Sequence, residues 1–206
     1  DVCSSDLYFP EAFINMRAFL GWNPGTTKEI FSLDELVESF SLDRVAKAGA
    51  KFDPDKTKWF QQQYLRNTEN HVLAELLNTV LDNKYSIDKL TVVCRLMKER
   101  ATFIGDIWTE GSFLLERPTE FDEQTVSKKW KEESDALMLE WSSVLNSIGT
   151  FNAETIEATF KAFLAEKEMG IGAVLPLFRL LLTGKGMGPS MFEISEFLGK
   201  EECIER

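Results

Sequence analysis

Apolar residues along this chain recur at spacings of three and four rather than in alternation, and capping signals bound each run. Pro10 opens a first helix that runs to Leu20 and stops at Gly21, before the turn Asn23-Pro24-Gly25. Ser32 and Glu35 form a capping box ahead of Leu36, Val37 and Phe40. Asp53-Pro54 supplies an N-cap and a first-turn proline for a helix reaching Leu65. Leu73, Leu76, Leu77, Val80 and Leu81 mark the next stripe; after Ser86, Leu90, Val93, Cys94 and Met97 mark another. Trp130 to Ile148 holds one long helix or two, ended by Gly149. Asn152 caps a helix with Ile156, Phe160, Phe163 and Leu164 inward and Gly170 at its end, and two more helices close at Gly184 and Gly199. Sustained period-two alternation and Asn-Gly hairpin turns are missing, so the pattern predicts an all-α chain of about ten short helices. The loop Glu110 to Glu123, with Pro118, divides two helical units, and a softer boundary falls near Arg66 to Thr68.

With 206 residues, 44% of them apolar, and 16 Phe and 5 Trp, the chain can bury a real core as one large domain or several small ones. The longest apolar run, Ala173 to Leu182, is broken by Pro176 and Arg179 and is too short to span a bilayer. Cys3, Cys94 and Cys203 lie far apart without metal-ligand spacing, and Cys94 falls on an apolar helical stripe, which fits a reducing cytoplasm.

A net charge of −11 argues against a generic nucleic-acid binder, but the charge is segregated. Arg44 to Arg66 carries six Lys/Arg against two Asp, and Lys89 to Phe103 four basic residues against one Glu. Met169 to Phe192 has no acid at all, only Arg179 and Lys185, whereas Glu110 to Glu140 holds nine acids and four bases. A phosphate-facing side on an acidic body accounts for this; clustering on solvated helices is the alternative for any one segment.

Residues 1–7, DVCSSDL, read as the in-frame translation of the end of a common sequencing adapter, which puts the expected native start near Tyr8 and gives Cys3 no functional weight. The final ECIER carries no helix stop signal, so both ends read as cut.

No catalytic set is visible. The lone His71 sits in a polar helix start that suits a capping or surface role. Gly184-Lys185-Gly186-Met187-Gly188 resembles a phosphate loop superficially, but it follows a helix rather than a strand and lacks the flanking glycine and Ser/Thr, which excludes it as a nucleotide site.

Four ordered blocks carry a family resemblance. They are FPEAFINMRAFLGWNPG, IFSLDELVESFSLDRVAKAGAKFDPDKTKWFQQQYL, LMKERATFIGDI and LPLFRLLLTGKGMGPSMFEISEFLGKEE. From Tyr8 to Arg206 the chain resembles the part of bacterial glutamyl-tRNA synthetases downstream of their catalytic domain, with Arg17 replacing a usual apolar residue and Gln61 a usual asparagine. The resemblance implies a stem-contact helical segment over 8–66 and two small helical anticodon-binding domains, 67–112 and 113–206. It implies a cytoplasmic, monomeric parent that attaches glutamate to tRNA(Glu) using ATP and Mg2+. The catalytic domain would lie outside this sequence, leaving a portion that binds tRNA, holds no cofactor and touches no membrane. A non-catalytic helical protein-interaction module is the other class the pattern admits.

The family's stem-contacting Lys and Trp fall on Lys56 and Trp59, one turn apart, suited to a phosphate contact and a ribose or base contact; Trp59 in the core beside a solvated Lys56 is the alternative. Arg100 falls on the arginine that reads the third anticodon base. Cytosine there offers two acceptors to a donor-only guanidinium fork, while guanine presents donors, a difference worth about 1–3 kcal/mol. The alternative is an ion pair to Glu99 or Asp106. Arg179, set among Leu177, Phe178, Leu180, Leu181 and Leu182, needs a carboxylate such as Glu193 or a ligand, and it falls on an anticodon-contacting arginine of the family. Gly188, Pro189 and Met191 align with the loop that meets unstacked bases.

Overall fold

The computed structural model describes residues 8–47 and 51–206, so the adapter-like residues 1–7 with Cys3 lie outside the described residues. All regular structure among the described residues is helical, apart from an isolated bridge between Trp22 and Val45. The chain divides into two compact units, 1–111 and 112–206.

The first unit contains α1 (Pro10–Ala18), α2 (Leu33–Ser39), α3 (Pro54–Asn67), α4 (Asn70–Val80), α5 (Ile87–Met97) and α6 (Ile104–Gly111), with 3₁₀ turns at Leu42–Arg44 and Lys98–Arg100. Its starts obey local chemistry. Ser32 and Glu35 form the reciprocal capping box on α2, and Asp53 accepts from the N–H groups of Asp55 and Lys56 to start α3 behind Pro54. Two buried amides hold α1 in place: Gln61 Oε1 on α3 accepts from Phe9 N at 2.7 Å, and Asn15 Oδ1 on α1 accepts from Phe31 N, ahead of α2, at 2.8 Å. The Tyr64 hydroxyl sits between Asn15 Oδ1 and the Phe31 carbonyl, and burial pushes its pKa up to about 12. Gln61, a departure from the family's asparagine, thus has a structural use in this fold.

The second unit opens with a 3₁₀ turn at Ser112–Leu114 and continues through α7 (Glu123–Lys129), α8 (Ser134–Ser147), α9 (Ala153–Glu166), α10 (Ile171–Thr183), α11 (Met191–Leu198) and α12 (Lys200–Glu205). Its core is aromatic: Trp141 meets Phe160 edge-on at 4.9 Å and Phe178 at 5.5 Å. Pro176 inside α10 has no N–H to give the Gly172 carbonyl, and Lys129 Nζ supplies the missing donor at 3.2 Å. Cys203 is buried here, as Cys94 is in the first unit, and burial raises both thiols to about 12.

Three expectations need correction. The stretch from Trp130 to Ile148, read as one long helix or two, holds one helix that starts only at Ser134; Trp130 is the extended C-cap of α7, which begins earlier, behind Asp122. The Glu110 to Glu123 loop is therefore shorter, since α6 runs to Gly111. Gly170 does not end α9 but precedes α10 with an ordinary φ of −80°; Glu168, at φ +53°, makes the turn.

Candidate nucleic-acid interface

In the first unit, α3 sorts its side chains by face. Phe60 and Leu65 are fully buried, while Lys56 and Trp59 stand one turn apart on the exposed side. Trp59 is 36% exposed and meets the Phe60 ring edge-on at 5.1 Å, so Phe60 fills the core position and Trp59 is presented at the surface. Lys56 Nζ pairs with Glu29 Oε1 at 2.9 Å and lies 5.9 Å from the rings of Phe19 and Phe60.

Arg100 is the exposed last residue of the 3₁₀ turn after α5. The backbone around it is pinned. Arg66 Nη2 donates to the Glu99 carbonyl at 2.7 Å, and Lys98 Nζ donates to the Thr68 carbonyl at 3.0 Å. Around it, Glu99 faces Arg66 Nε at 3.3 Å, and Asp106 Oδ2 accepts from Thr102 N and Phe103 N at 2.9 Å.

In the second unit, Arg179 lies half-buried on α10, and the loop that follows folds back on it. Gly184 takes φ +68° and its N–H closes on the Leu180 carbonyl, ending the helix in the left-handed region that glycine fills without strain. Thr183 Oγ1 donates to the Arg179 carbonyl at 2.8 Å and accepts from Lys185 N at 3.1 Å. The chain then returns so closely that a Cβ on Gly188 would stand 2.8 Å from Arg179 Nη1. Arg179 and Gly188 are thus brought together, and a side chain at 188 would have to displace the end of the Arg179 side chain. Pro189 is half-buried beside them, and Met187 stands 82% exposed at the loop. Met191 differs from the reading of a base-facing side chain: as the first residue of α11 it is 1% exposed, and its side chain fills core.

This loop has a further support that the hydrophobic pattern does not reveal. A strap from Pro118 to Thr125 lies under it: Asp122 N donates to the Gly184 carbonyl at 2.8 Å, and a Cβ on Gly184 would stand 2.3 Å from the Glu120 carbonyl oxygen. The Asp122-to-Thr125 spacing, an N-cap signature, is the available signal, at the end of the loop that divides the two helical units.

Residues 63–206 match the family described as anticodon binding domain. The chain belongs to that family. It is 46% identical to a glutamate–tRNA ligase of Christiangramia forsetii and 48% identical to one of Flavobacterium johnsoniae, each over 202 residues, 97% of this chain. Among solved structures it is similar to a glutamate tRNA ligase from Elizabethkingia meningosepticum determined with its amino acid. That likeness has a TM-score of 0.89 at 41% identity and covers 96% of this chain and 40% of that one. The chain spans 40% of the length of the two curated relatives. The family match includes Arg100, Arg179 and the 184–191 loop, whereas Lys56 and Trp59 precede it. Among the described residues no helix is long and apolar enough to cross a membrane, and no cluster of three His, Cys, Asp or Glu could hold a metal ion.

Proposed function

We propose that this chain is the tRNA-gripping portion of a glutamate–tRNA ligase, recognising the anticodon of tRNA(Glu) without itself charging it. The observation that carries the reading is the Arg179–Gly188 arrangement: a guanidinium set against a side-chain-free backbone in an acid-free window, inside a domain of the anticodon-binding family. Such a surface offers donors and open backbone to splayed bases, which single-stranded loops supply. Arg100 reads the third anticodon base through its donor fork, and Arg179 with the Gly188–Pro189 backbone receives another part of the loop. Met191 holds the end of that loop by its burial rather than by touching RNA. Lys56 and Trp59 contact the stem, Lys56 exchanging its Glu29 partner for a phosphate.

The longer protein attaches glutamate to this tRNA in the cytoplasm as a monomer. ATP and Mg2+ are held by the part of it that this chain does not span, and the catalytic residues lie there too. The experiment is salt-resolved binding of the chain to a tRNA transcript with a glutamate anticodon. Binding that weakens log-linearly with salt and prefers the glutamate anticodon supports the reading. Binding indifferent to salt and anticodon, or none, returns the chain to the class of helical protein-interaction modules.

A further inference from the structure

The second unit contains an arginine that an RNA-binding reading would assign to phosphate, and its surroundings assign it elsewhere. The Arg206 side chain is only 3% exposed. Its Nε donates to Glu202 Oε1 at 2.8 Å, and its Nη1 donates to the carbonyls of Phe113 at 2.7 Å and Leu182 at 2.6 Å. Glu202 is held in turn by Arg117 through two parallel bonds of 2.9 and 2.8 Å. The Leu182 carbonyl belongs to the last turn of α10, where it has no partner within the helix. It lies three residues beyond Arg179.

A second clamp sits on the loop itself. A Cβ on Gly186 would stand 2.2 Å from Thr125 Oγ1, so the strap residue lies directly against the loop backbone. Thr125 is fixed there by Asp122, whose carboxylate accepts from its N–H at 2.6 Å and also bonds its hydroxyl, which holds the Asp122 pKa below the ordinary value. The helix end is therefore seized at Leu182 and Gly184, and the loop at Gly186, on either side of the turn that lays Gly188 on Arg179.

We propose that Arg206 and Thr125 are positioning residues for anticodon reading, acting through Arg179 and Gly188 without contacting RNA. The proposal rests on the tRNA reading above. A recognition surface gains selectivity when its contacting groups are locked by partners that do not touch the ligand, because a loose donor meets right and wrong bases alike.

The test uses the 206-residue chain and two tRNA transcripts, one with a glutamate anticodon and one with all three anticodon bases replaced by adenine. The readouts are the ratio of the two Kd values and the salt slope of each. Arg206→Met is expected to lower the ratio about tenfold, within the range a lost base contact spans, with the salt slope unchanged. Gly186→Ala is expected to lower it similarly by clashing with Thr125 Oγ1, and Thr125→Ala, which removes the group that abuts the Gly186 backbone, to lower it as well, each with the salt slope unchanged. A ratio untouched by Arg206→Met overturns the proposal, and so does a shallower salt slope, which makes Arg206 a phosphate contact. Should circular dichroism show Arg206→Met unfolded, Thr125→Ala and Gly186→Ala decide: a lowered ratio at an unchanged salt slope supports positioning, and an unchanged ratio overturns it. A wild-type chain with no preference between the transcripts fails the tRNA reading itself, a separate result from variants that leave an existing preference intact.

Discussion

Arg100 and Arg179 carry the same guanidinium in opposite settings, and the settings predict different phenotypes. Arg100 is exposed at the end of a 3₁₀ turn in which Arg66 holds the neighbouring Glu99 carbonyl, so its replacement removes a donor fork from the surface. We expect Arg100→Gln to cost about 1–3 kcal/mol of discrimination between cytosine and guanine at the third anticodon base. Equal loss on the two transcripts would reduce Arg100 to a phosphate or structural residue. Stability is governed by other positions. Gly184→Ala forces a side chain into φ +68° and toward the Glu120 carbonyl oxygen, an approach of 2.3 Å that backbone has no means of relieving. We expect a loss of about 2 kcal/mol or more in urea unfolding of the second unit, from strain and overlap together. A Gly184→Ala chain with wild-type stability would mean the strap yields freely. Met191→Ala belongs to the same group: a side chain 1% exposed leaves a cavity on truncation, costing about 2–5 kcal/mol. A Met191→Ala chain that keeps its stability but loses tRNA would restore the side chain as a contact.

Helix α3 shows how much an element owes to its first residues. Asp53 accepts two N–H groups and Pro54 follows it, so the helix that presents Lys56 and Trp59 starts at a fixed place. Asp53→Ala is expected to destabilise the first unit by about 1 kcal/mol, and Asp53→Asn by much less, because asparagine keeps the acceptor; denaturant midpoints of the two variants read the difference. An Asp53→Asn chain as unstable as Asp53→Ala would make the effect one of charge. Such starts were legible in the sequence because a cap is a contact between near neighbours: Ser32, Asp53 and Asn152 all cap where the pattern put them. What decides by tertiary contact was not legible. Gly170 resembled a helix stop, yet Glu168 makes the turn, so composition alone misplaced the end by a few residues. Trp130 continued an apolar spacing but leaves the helix to bond Asp135 through its indole at 3.0 Å. In the candidate interface, α10 could place Arg179, but only the folded loop brings Gly188 against it and sets the 118–125 strap beneath.

At the scale of the whole molecule, a net charge of −11 makes acid a mild relief from repulsion, and one group opposes that trend. Glu202 lies between Arg117 and Arg206, whose hydrogen bonds bring its pKa from an ordinary 4.5 down to about 2. A carboxyl depressed in the folded state binds fewer protons there than in the unfolded chain. Its contribution is therefore fully present above pH 4.5 and is lost as pH falls from there toward 2. Because Arg206 spans Glu202, Phe113 and Leu182, protonation loosens the joint at the end of α10 and not the surface at large. Hydrogen exchange of α10 and α12 amides should accordingly accelerate between pH 4.5 and 2 beyond the intrinsic pH effect on exchange, while amides of α3 and α5 follow only the general trend. Glu202→Gln should show the loosened joint already at neutral pH and a flatter profile below 4.5. If the variant and the wild type ran parallel through that window, the acid sensitivity would belong to other carboxylates. Glu202 would then hold Arg206 by hydrogen bonding alone, indifferent to its charge.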